Sequence, residues 1–190
     1  MGEELVVRPC GPGDVAALEL RMPTGRNRTH AVRYRRQREG GSTFLVAWLG
    51  SGSGPATGPV GSGEVIWAGA KETDVRQRFP GCPEINGLAV GPEWQSHGVG
   101  TAIVRAAEEH AARRGCRRIG LGVDEDNVRA AALYRRLGYR DTGCRYLDRY
   151  QYVDEHGTRH DVADPCRFLI KAIQGRPAGR AGARRAPDGH

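Results

Sequence analysis

Apolar and polar positions along this chain fall into short segments of strand or helix spacing, divided by Gly, Pro and Asp. The first strand ends at Pro9 and Gly11, and Asp14 opens a helix. In order, the N-terminal part predicts a strand ELVVRP, a helix from Asp14 through VAALELR, an arginine-rich helix NRTHAVRYRRQREGG, a strand STFLVAWLG, a flexible Gly/Ser-rich hairpin loop SGSGPATGPVGSG (51–63) and a strand EVIWAGA.

The second part of the chain begins with a loop and then alternates strands with helices. Its longest helix, from Val99 to about Arg114, repeats apolar residues four apart on one face and ends at Gly115. The elements are a loop KETDVRQRFPGC, a strand PEINGLAV, the long helix, a strand CRRIGLGV, a helix NVRAAALYRRL, and two strands RDTGCRYLDRYQYV and DPCRFLIKAI joined by a polar loop DEHGTRH. The order βααβββαβαββ predicts an α+β fold with a mixed sheet.

The length and composition are typical of one globular domain. The chain has 190 residues, 38% of them hydrophobic and 27% charged, and no apolar run approaches the ~20 residues of a membrane span. The start, MGEELVVRPC, carries acidic residues where a signal peptide would be basic, so we expect a cytoplasmic protein. The five cysteines are an odd number without any C-x-x-C pair, which predicts reduced thiols and no metal site.

The net charge of +7 raises the question of nucleic acid binding. Of the 29 basic residues 27 are Arg, which indicates a GC-rich coding sequence more than a selected binding surface. The tail GRPAGRAGARRAPDGH (175–190) has the composition of a disordered basic segment. No aromatic platform accompanies it, which argues against a nucleic acid partner.

A glycine loop, WQSHGVG, joins the strand PEINGLAV to the long helix. A P-loop signature is absent, and Ile103 stands where a Rossmann fingerprint needs its third glycine. The pattern Q/R-x-x-G-x-G/A is matched in full by residues 95–100. Such a loop lets the unpaired N–H groups at a helix N-terminus hold a pyrophosphate. A tight turn that only packs the helix on the sheet would need the same glycines, so the six residues alone leave both interpretations open.

The neighbouring residues extend the match. The match runs from about Glu84 to Gly143 and includes the segments INGLAVGPEWQSHGVGTAIVRAAEEHA and GCRRIGLGVDEDNVRAAALYRRLGYRDTG. This region resembles the acetyl-CoA-binding half of the GNAT superfamily of acyl-CoA N-acyltransferases. The resemblance implies a single domain over 1–174, with a central, mostly antiparallel mixed sheet of about six or seven strands and four helices. It also implies an N-acetyltransferase that uses acetyl-CoA as cosubstrate and needs no metal.

The resemblance also implies where the cofactor binds. The strand before the loop would offer its backbone to the pantetheine arm, the loop would hold the pyrophosphate, and the N–H of Leu88 would stabilise the tetrahedral oxyanion. Asn127 matches a position that contacts pantetheine or opens the helix. The implied cofactor-binding residues are Leu88, Ala89, Val90, Gln95, Ser96, His97, Gly98, Val99, Gly100, Thr101 and Asn127.

Two proton transfers define the catalytic candidates. An alkylamine with a pKa of about 10 must lose a proton before it attacks, and the departing thiolate, with a pKa of about 8.5, is helped by a donor. Tyr134 matches the family tyrosine near the sulfur of CoA and is the candidate acid. Glu84, at the start of the cofactor-facing strand, is the candidate base; Asp124 and a chain of water molecules are the alternatives.

The sequence does not identify the amine that accepts the acetyl group. The stretch RMPTGRNRTHAVRYRRQREGG would suit an acidic acceptor, whereas the acidic residues of the C-terminal third would suit a cationic one such as a polyamine or an aminoglycoside. We expect a small-molecule amine. The alternatives are a protein or peptide N-acetyltransferase and a non-catalytic acyl-CoA-binding regulatory module, and a homodimer is a possible assembly.

Overall fold

Seven strands form one sheet in the order β1-β2-β3-β4-β5-β7-β6 in the computed structural model, which describes residues 4–50 and 58–174. All neighbouring strands are antiparallel except β4 and β5, which are parallel. The strands are β1 (Glu4–Pro9), β2 (Ser42–Gly50), β3 (Gly58–Ile66), β4 (Glu84–Val90), β5 (Arg118–Asp124), β6 (Arg140–Val153) and β7 (Arg159–Ala172). The predicted mixed, mostly antiparallel α+β fold is confirmed.

Within residues 4–50 and 58–174, five helices accompany the sheet, and four of them are longer than six residues, as predicted. They are α1 (Asp14–Arg21), α2 (Thr29–Arg38), α3 (Thr73–Arg78), α4 (Val99–Arg113) and α5 (Val128–Arg136), with short 3-10 turns at Gly25–Asn27 and Pro92–Trp94. The short α3 lies inside the segment KETDVRQRFPGC, which was expected to be loop throughout. None of the helices in the described part is long and apolar enough to cross a membrane.

The prediction of a flexible loop over 51–63 was wrong for its second half. Residues 58–63 belong to β3 and pair with β2, whereas 51–57 lie outside the described residues. A Cβ on Gly61 would lie 2.9 Å from Val99 Cγ1, and one on Gly63 would lie 2.9 Å from Ile103 Cγ2. These glycines therefore allow α4 to approach the sheet closely, a role that a glycine-rich composition does not reveal.

The helix α4 packs its predicted apolar face against the sheet. Val99, Ile103, Ala107 and Ala111 are all buried, together with Val104. They join side chains of the central strands in one hydrophobic cluster, which also includes Tyr134 of α5. All five cysteines are free thiols. In 4–50 and 58–174, no group of three or more His, Cys, Asp or Glu side chains could hold a metal ion.

The strands β4 and β5 separate after a short paired stretch. They pair only where Glu84 faces Gly120 and Ile85 faces Leu121. Beyond Ile85, β4 continues beside β3 alone as far as Val90. A gap therefore opens between the carboxyl ends of two parallel strands in the middle of the sheet.

Candidate active site

Two cavities meet at the gap between β4 and β5. One has a volume of about 260 Å³ and the other of about 760 Å³. Four residues line both: Leu88, Asn127, Ala130 and Tyr134. The two cavities are therefore open to a common region between β4 and α5, where a reaction between two bound molecules can take place.

The larger cavity, which we call the cofactor cleft, ends at the N-terminus of α4. The N-cap residue Gly98 has φ of +83°, and Ser96 before it has φ of +66°. The first bond of this helix runs from Ala102 N to the carbonyl of Gly98, and no side chain caps the N-terminus. The N–H groups of the first turn are therefore available to an anion.

Most of the predicted cofactor-binding residues line the cofactor cleft, and three do not. Those in the lining are Leu88, Val90, Gln95, Ser96, Gly98, Gly100, Thr101 and Asn127. Ala89 instead pairs with Ser62 of β3, and Val99 is buried in the core. The carbonyl oxygen of Gln95 lies 2.9 Å from His97 Nδ1 and accepts a hydrogen bond from it, and the His97 ring lies edge-on to Trp94.

Arg129 was missed by the sequence interpretation. It lies in the first turn of α5 and lines the cofactor cleft. Its two terminal nitrogens donate at 2.8 Å to Gln95 Oε1 and at 2.8 Å to Ser96 Oγ. It therefore ties α5 to the glycine loop and brings a positive charge there. Its position two residues after Asn127, in a segment already assigned to the site, is the signal that could have identified it.

Asn127 caps the N-terminus of α5, and Tyr134 lies in its last turn. Asn127 is the N-cap, and its Oδ1 accepts a bond of 3.0 Å from Ala130 N. Tyr134 is 7% exposed and contacts Tyr139 edge-to-face. Burial, with a smaller contribution from the charge of Asp124, raises the pKa of Tyr134 to about 12. The phenol is therefore protonated at neutral pH.

The smaller cavity, which we call the acidic cavity, is lined by four carboxylates from different parts of the chain: Glu72, Glu84, Asp124 and Asp148. One lysine, Lys71, lines it too. Its Nζ bonds to Asp148 and donates at 2.8 Å to the carbonyl of Arg149. The lysine charge is thus already paired, which leaves the cavity with an excess of negative charge.

Glu84 is the most deeply buried of these carboxylates, with 3% exposure. Its Oε2 accepts from Lys71 N at 3.2 Å and from Asn86 Nδ2 at 3.4 Å. Burial raises the pKa of Glu84 to about 7, because two weak hydrogen bonds do not offset the loss of water. The carboxyl group is therefore poised to take up and release a proton near neutral pH.

Asp124, the alternative base, is exposed at the end of β5. Its Oδ1 accepts from the thiol of Cys166 at 3.1 Å. Burial raises the pKa of that thiol to about 12. Of the two acidic candidates, only Glu84 is buried.

With this geometry in place, comparison with known proteins decides the family. Residues 14–139 match the Acetyltransferase (GNAT) family. The chain belongs to the GNAT family. The resemblance that residues 84–143 carry is thereby confirmed, and the match also extends over α1, α2, β2 and β3.

Individual relatives match only a part of the chain. An uncharacterised N-acetyltransferase of Methanocaldococcus jannaschii is 38% identical over 58 residues, which cover 30% of this chain and 26% of the relative. The mycothiol acetyltransferase of Kocuria rhizophila is 40% identical over 60 residues, 32% of this chain and 20% of the relative. The matched region therefore spans about a quarter or less of each of these relatives.

Solved structures share the fold over most of the chain. The IAA acetyltransferase of Bacillus cereus covers 90% of this chain with its full length, at 21% identity and a TM-score of 0.56. The ribosomal-protein-S18-alanine N-acetyltransferase of Escherichia coli covers 95% with 99% of its length, at 18% identity and a TM-score of 0.56. The NatC complex bound to Gag peptide and CoA matches at 17% identity and a TM-score of 0.60, over 90% of this chain and 99% of that one. Acetyltransferases of both small molecules and proteins are thus among the structural neighbours.

Proposed function

We propose that this GNAT protein transfers the acetyl group of acetyl-CoA to the primary amine of a small molecule. The observation that carries the proposal is the carboxyl group of Glu84, with a pKa of about 7, in a cavity that meets the cofactor cleft beside Tyr134. The catalytic domain in this proposal spans 1–174, since β7 completes the sheet and ends at Ala172. The tail 175–190 lies outside the described residues.

The cofactor cleft fits the proposed cosubstrate. A pyrophosphate would bind the N–H groups of the first turn of α4, where Gly98 and Gly100 leave the backbone accessible. Arg129 and Arg136 line the same cleft and offset the negative charge of a phosphorylated ligand. The free edge of β4 beyond Ile85 would pair with the pantetheine arm.

The proposed reaction begins with removal of a proton from the ammonium group by Glu84. The neutral amine then attacks the thioester carbon, a C–N bond forms, and the carbonyl oxygen becomes an oxyanion that the N–H of Leu88 stabilises. Collapse of this intermediate re-forms the carbonyl, breaks the C–S bond and releases the thiolate of CoA, and the second proton on the nitrogen passes to solvent to leave the neutral amide. The proton that Glu84 holds passes to solvent and restores the carboxylate.

Tyr134 assists the departing sulfur in this proposal. Its phenol, with a pKa of about 12, is a weaker acid than a thiol, whose pKa is about 8.5. Full proton transfer to the thiolate is therefore unfavourable, and the phenol acts chiefly by donating a hydrogen bond to the charge that develops on sulfur. Solvent then supplies the proton of the CoA thiol.

The charge of the acidic cavity favours a cationic amine, such as a polyamine or an aminoglycoside, over an acidic acceptor. Two arginines of α2 that could have suited an acidic acceptor, Arg33 and Arg36, contact the buried Glu64 instead. A protein N-terminus is the second candidate acceptor, and it is supported by the fold shared with protein acetyltransferases.

The test is release of CoA thiol from acetyl-CoA in the presence of a panel of amines and N-terminal peptides. We expect turnover with a cationic small amine and about a tenfold or larger fall in kcat for Tyr134→Phe, with an unchanged Kd for CoA. Tyr139→Phe is the matched control, since Tyr139 is buried but lines neither cavity. Binding of CoA without transfer to any acceptor would contradict the proposal and favour a regulatory module.

A further inference from the structure

The strand β4 contains a bulge where it leaves β5. Ser62 of β3 faces Ala89 and Glu64 faces Asn86, so that Gly87 and Leu88 together oppose a single residue of β3. Gly87 has φ of +59°, a left-handed conformation that favours glycine. The bulge begins two residues after Ile85, the last residue of β4 that pairs with β5. It therefore sets the direction of the backbone at Leu88, which lines both cavities.

The side chain of Arg33 contacts the backbone of this bulge. Its Nη1 donates at 3.2 Å to the carbonyl of Gly87. The guanidinium lies so close that a Cβ on Gly87 would overlap it. Arg33 comes from α2, 54 positions earlier in the chain, and lies 5.9 Å over the ring of Phe44. Its side chain therefore connects α2 to the bulge of β4 and packs on Phe44 of β2.

Glu64 forms an ion pair with Arg33 and a hydrogen bond with Arg36. The carboxylate is 1% exposed, with Oε2 at 3.7 Å from Arg33 Nε and at 2.7 Å from Arg36 Nη1. Its other oxygen, Oε1, is buried and has no hydrogen-bond partner. A buried carboxylate with one unsatisfied oxygen is costly to stability. Replacing buried ion pairs by apolar residues is often neutral or stabilising, so stability by itself does not account for this cluster.

We propose that Arg33, paired with the buried Glu64, is a positioning residue. It fixes the conformation of the Gly87 bulge and so directs the N–H of Leu88 towards the thioester oxygen. The inference rests on the proposed function, because it assigns Leu88 to the oxyanion. The guanidinium can do this because it is a planar fork that binds a carbonyl with one nitrogen while another faces a carboxylate. Lysine in its place carries all its donors on one nitrogen, so it does not reproduce the separate positions from which Nη1 faces Gly87 and Nε faces Glu64.

The experiment compares Arg33→Lys and Arg33→Met with Arg35→Met and Arg38→Met, which change exposed arginines of the same helix. The measurements are kcat, the Kd of acetyl-CoA and Tm. The vibrational frequency of the carbonyl of acetonyl-CoA, an inert ketone analogue, is measured on each protein as a direct report of the oxyanion contact.

We expect both Arg33 variants to lose about 10- to 100-fold in kcat with an unchanged Kd for acetyl-CoA, because a misdirected donor weakens only the transition state. The analogue carbonyl should shift to lower frequency on wild type and on the α2 controls, and return towards its solution value on the Arg33 variants. If Arg33→Met does not fold, Arg33→Lys carries the comparison, since it keeps the charge that faces Glu64.

A folded Arg33→Lys protein with the kcat and carbonyl frequency of wild type would overturn the inference. A fall in Tm with no change in frequency would assign Arg33 a structural role only and would overturn it too. Absence of transfer by the wild-type protein to any amine is a different result, because it counts against the proposed function before any variant is compared.

Discussion

At the scale of single residues, the site depends on a carboxyl group in an unfavourable place. Glu84 would be ionised with a pKa near 4.5 in water, and burial raises that pKa to about 7. Its buried environment, with only two weak hydrogen-bond donors, is costly for the carboxylate form. It is useful for a base, since a pKa near the working pH matches proton transfer at that pH. Burial of the Glu84 carboxyl group therefore lowers the stability of the fold while it suits the group to act as a base.

A pH profile of kcat/KM tests the role of Glu84. We expect activity to rise as pH increases through about 7, the pKa of the Glu84 carboxyl group. Glu84→Gln should lower kcat by about 100-fold and abolish this inflection. A rise near pH 7 that persists in Glu84→Gln would transfer the role of base to Asp124 or to a chain of water molecules.

The same variant should be more stable than wild type at pH 8. The folded state binds the Glu84 proton more tightly than the unfolded chain, so the free energy of unfolding falls as pH rises from 4.5 through about 7. Glutamine avoids this cost, which corresponds to about 3 kcal/mol at most. Urea unfolding at pH 5 and pH 8 measures the free energy of unfolding of both proteins. The difference in this free energy between wild type and Glu84→Gln should be smaller at pH 5.

At the scale of elements, the cofactor cleft is built by the N-termini of two helices. The first turn of α4 leaves its N–H groups free, and α5 begins beside it with Asn127 as N-cap. Arg129 connects the two through Gln95 and Ser96. Two helix dipoles and one guanidinium therefore act on the same end of the cleft, which favours a polyanion.

Arg129→Met should weaken acetyl-CoA binding about tenfold with little change in kcat, because one charge-assisted contact to a phosphate contributes about 1.5 kcal/mol. The control is Arg135→Met, an exposed arginine of the same helix that lines neither cavity. Calorimetric titration with CoA at two salt concentrations checks both. Equal affinities for the two variants would remove Arg129 from the binding site.

At the scale of the whole molecule, the acidic cavity is assembled from residues far apart in sequence. Glu72 precedes α3, Glu84 opens β4, Asp124 ends β5 and Asp148 lies in β6. No segment of the chain carries this charge alone. The proposed preference for a cationic acceptor therefore depends on the folded sheet.

Asp148→Asn should raise KM for a polyamine more than for a monoamine, because it removes one negative charge from the cavity and frees the charge of Lys71. Asp161→Asn, on the exposed part of β7, is the matched control. KM measured across amines of increasing charge gives the comparison. Equal changes in KM for all acceptors would contradict a cation-selective cavity.

Packing across the sheet also depends on a glycine of β5. Phe168 is fully buried and stacks on Phe79, and a Cβ on Gly120 would lie 2.7 Å from its Cε1. Gly120→Ala should therefore lower the free energy of unfolding by about 1–3 kcal/mol. Gly13→Ala, where an added Cβ meets no atom within 4 Å, should change it little. Urea unfolding distinguishes the two.

The sequence by itself determined the order of the strands and of the four longer helices, the apolar face of α4 and the family. Those features depend on local spacing: four-residue periodicity in 99–111, turn residues at the junctions, and a glycine loop followed by Asn127 and Tyr134. Local spacing is misleading at α3 and at 58–63. The glycines of 58–63 predict a loop, because close packing against a distant helix leaves no mark in the neighbouring residues.

Only the tertiary structure decided what the candidate residues can do. Burial gives Glu84 its raised pKa, and the separation of β4 from β5 opens the cleft. The contact of Arg33 with the Gly87 carbonyl joins positions 54 apart. Burial, charge and direction at these atoms depend on residues brought together from distant segments, so the sequence could name the side chains but not their environment.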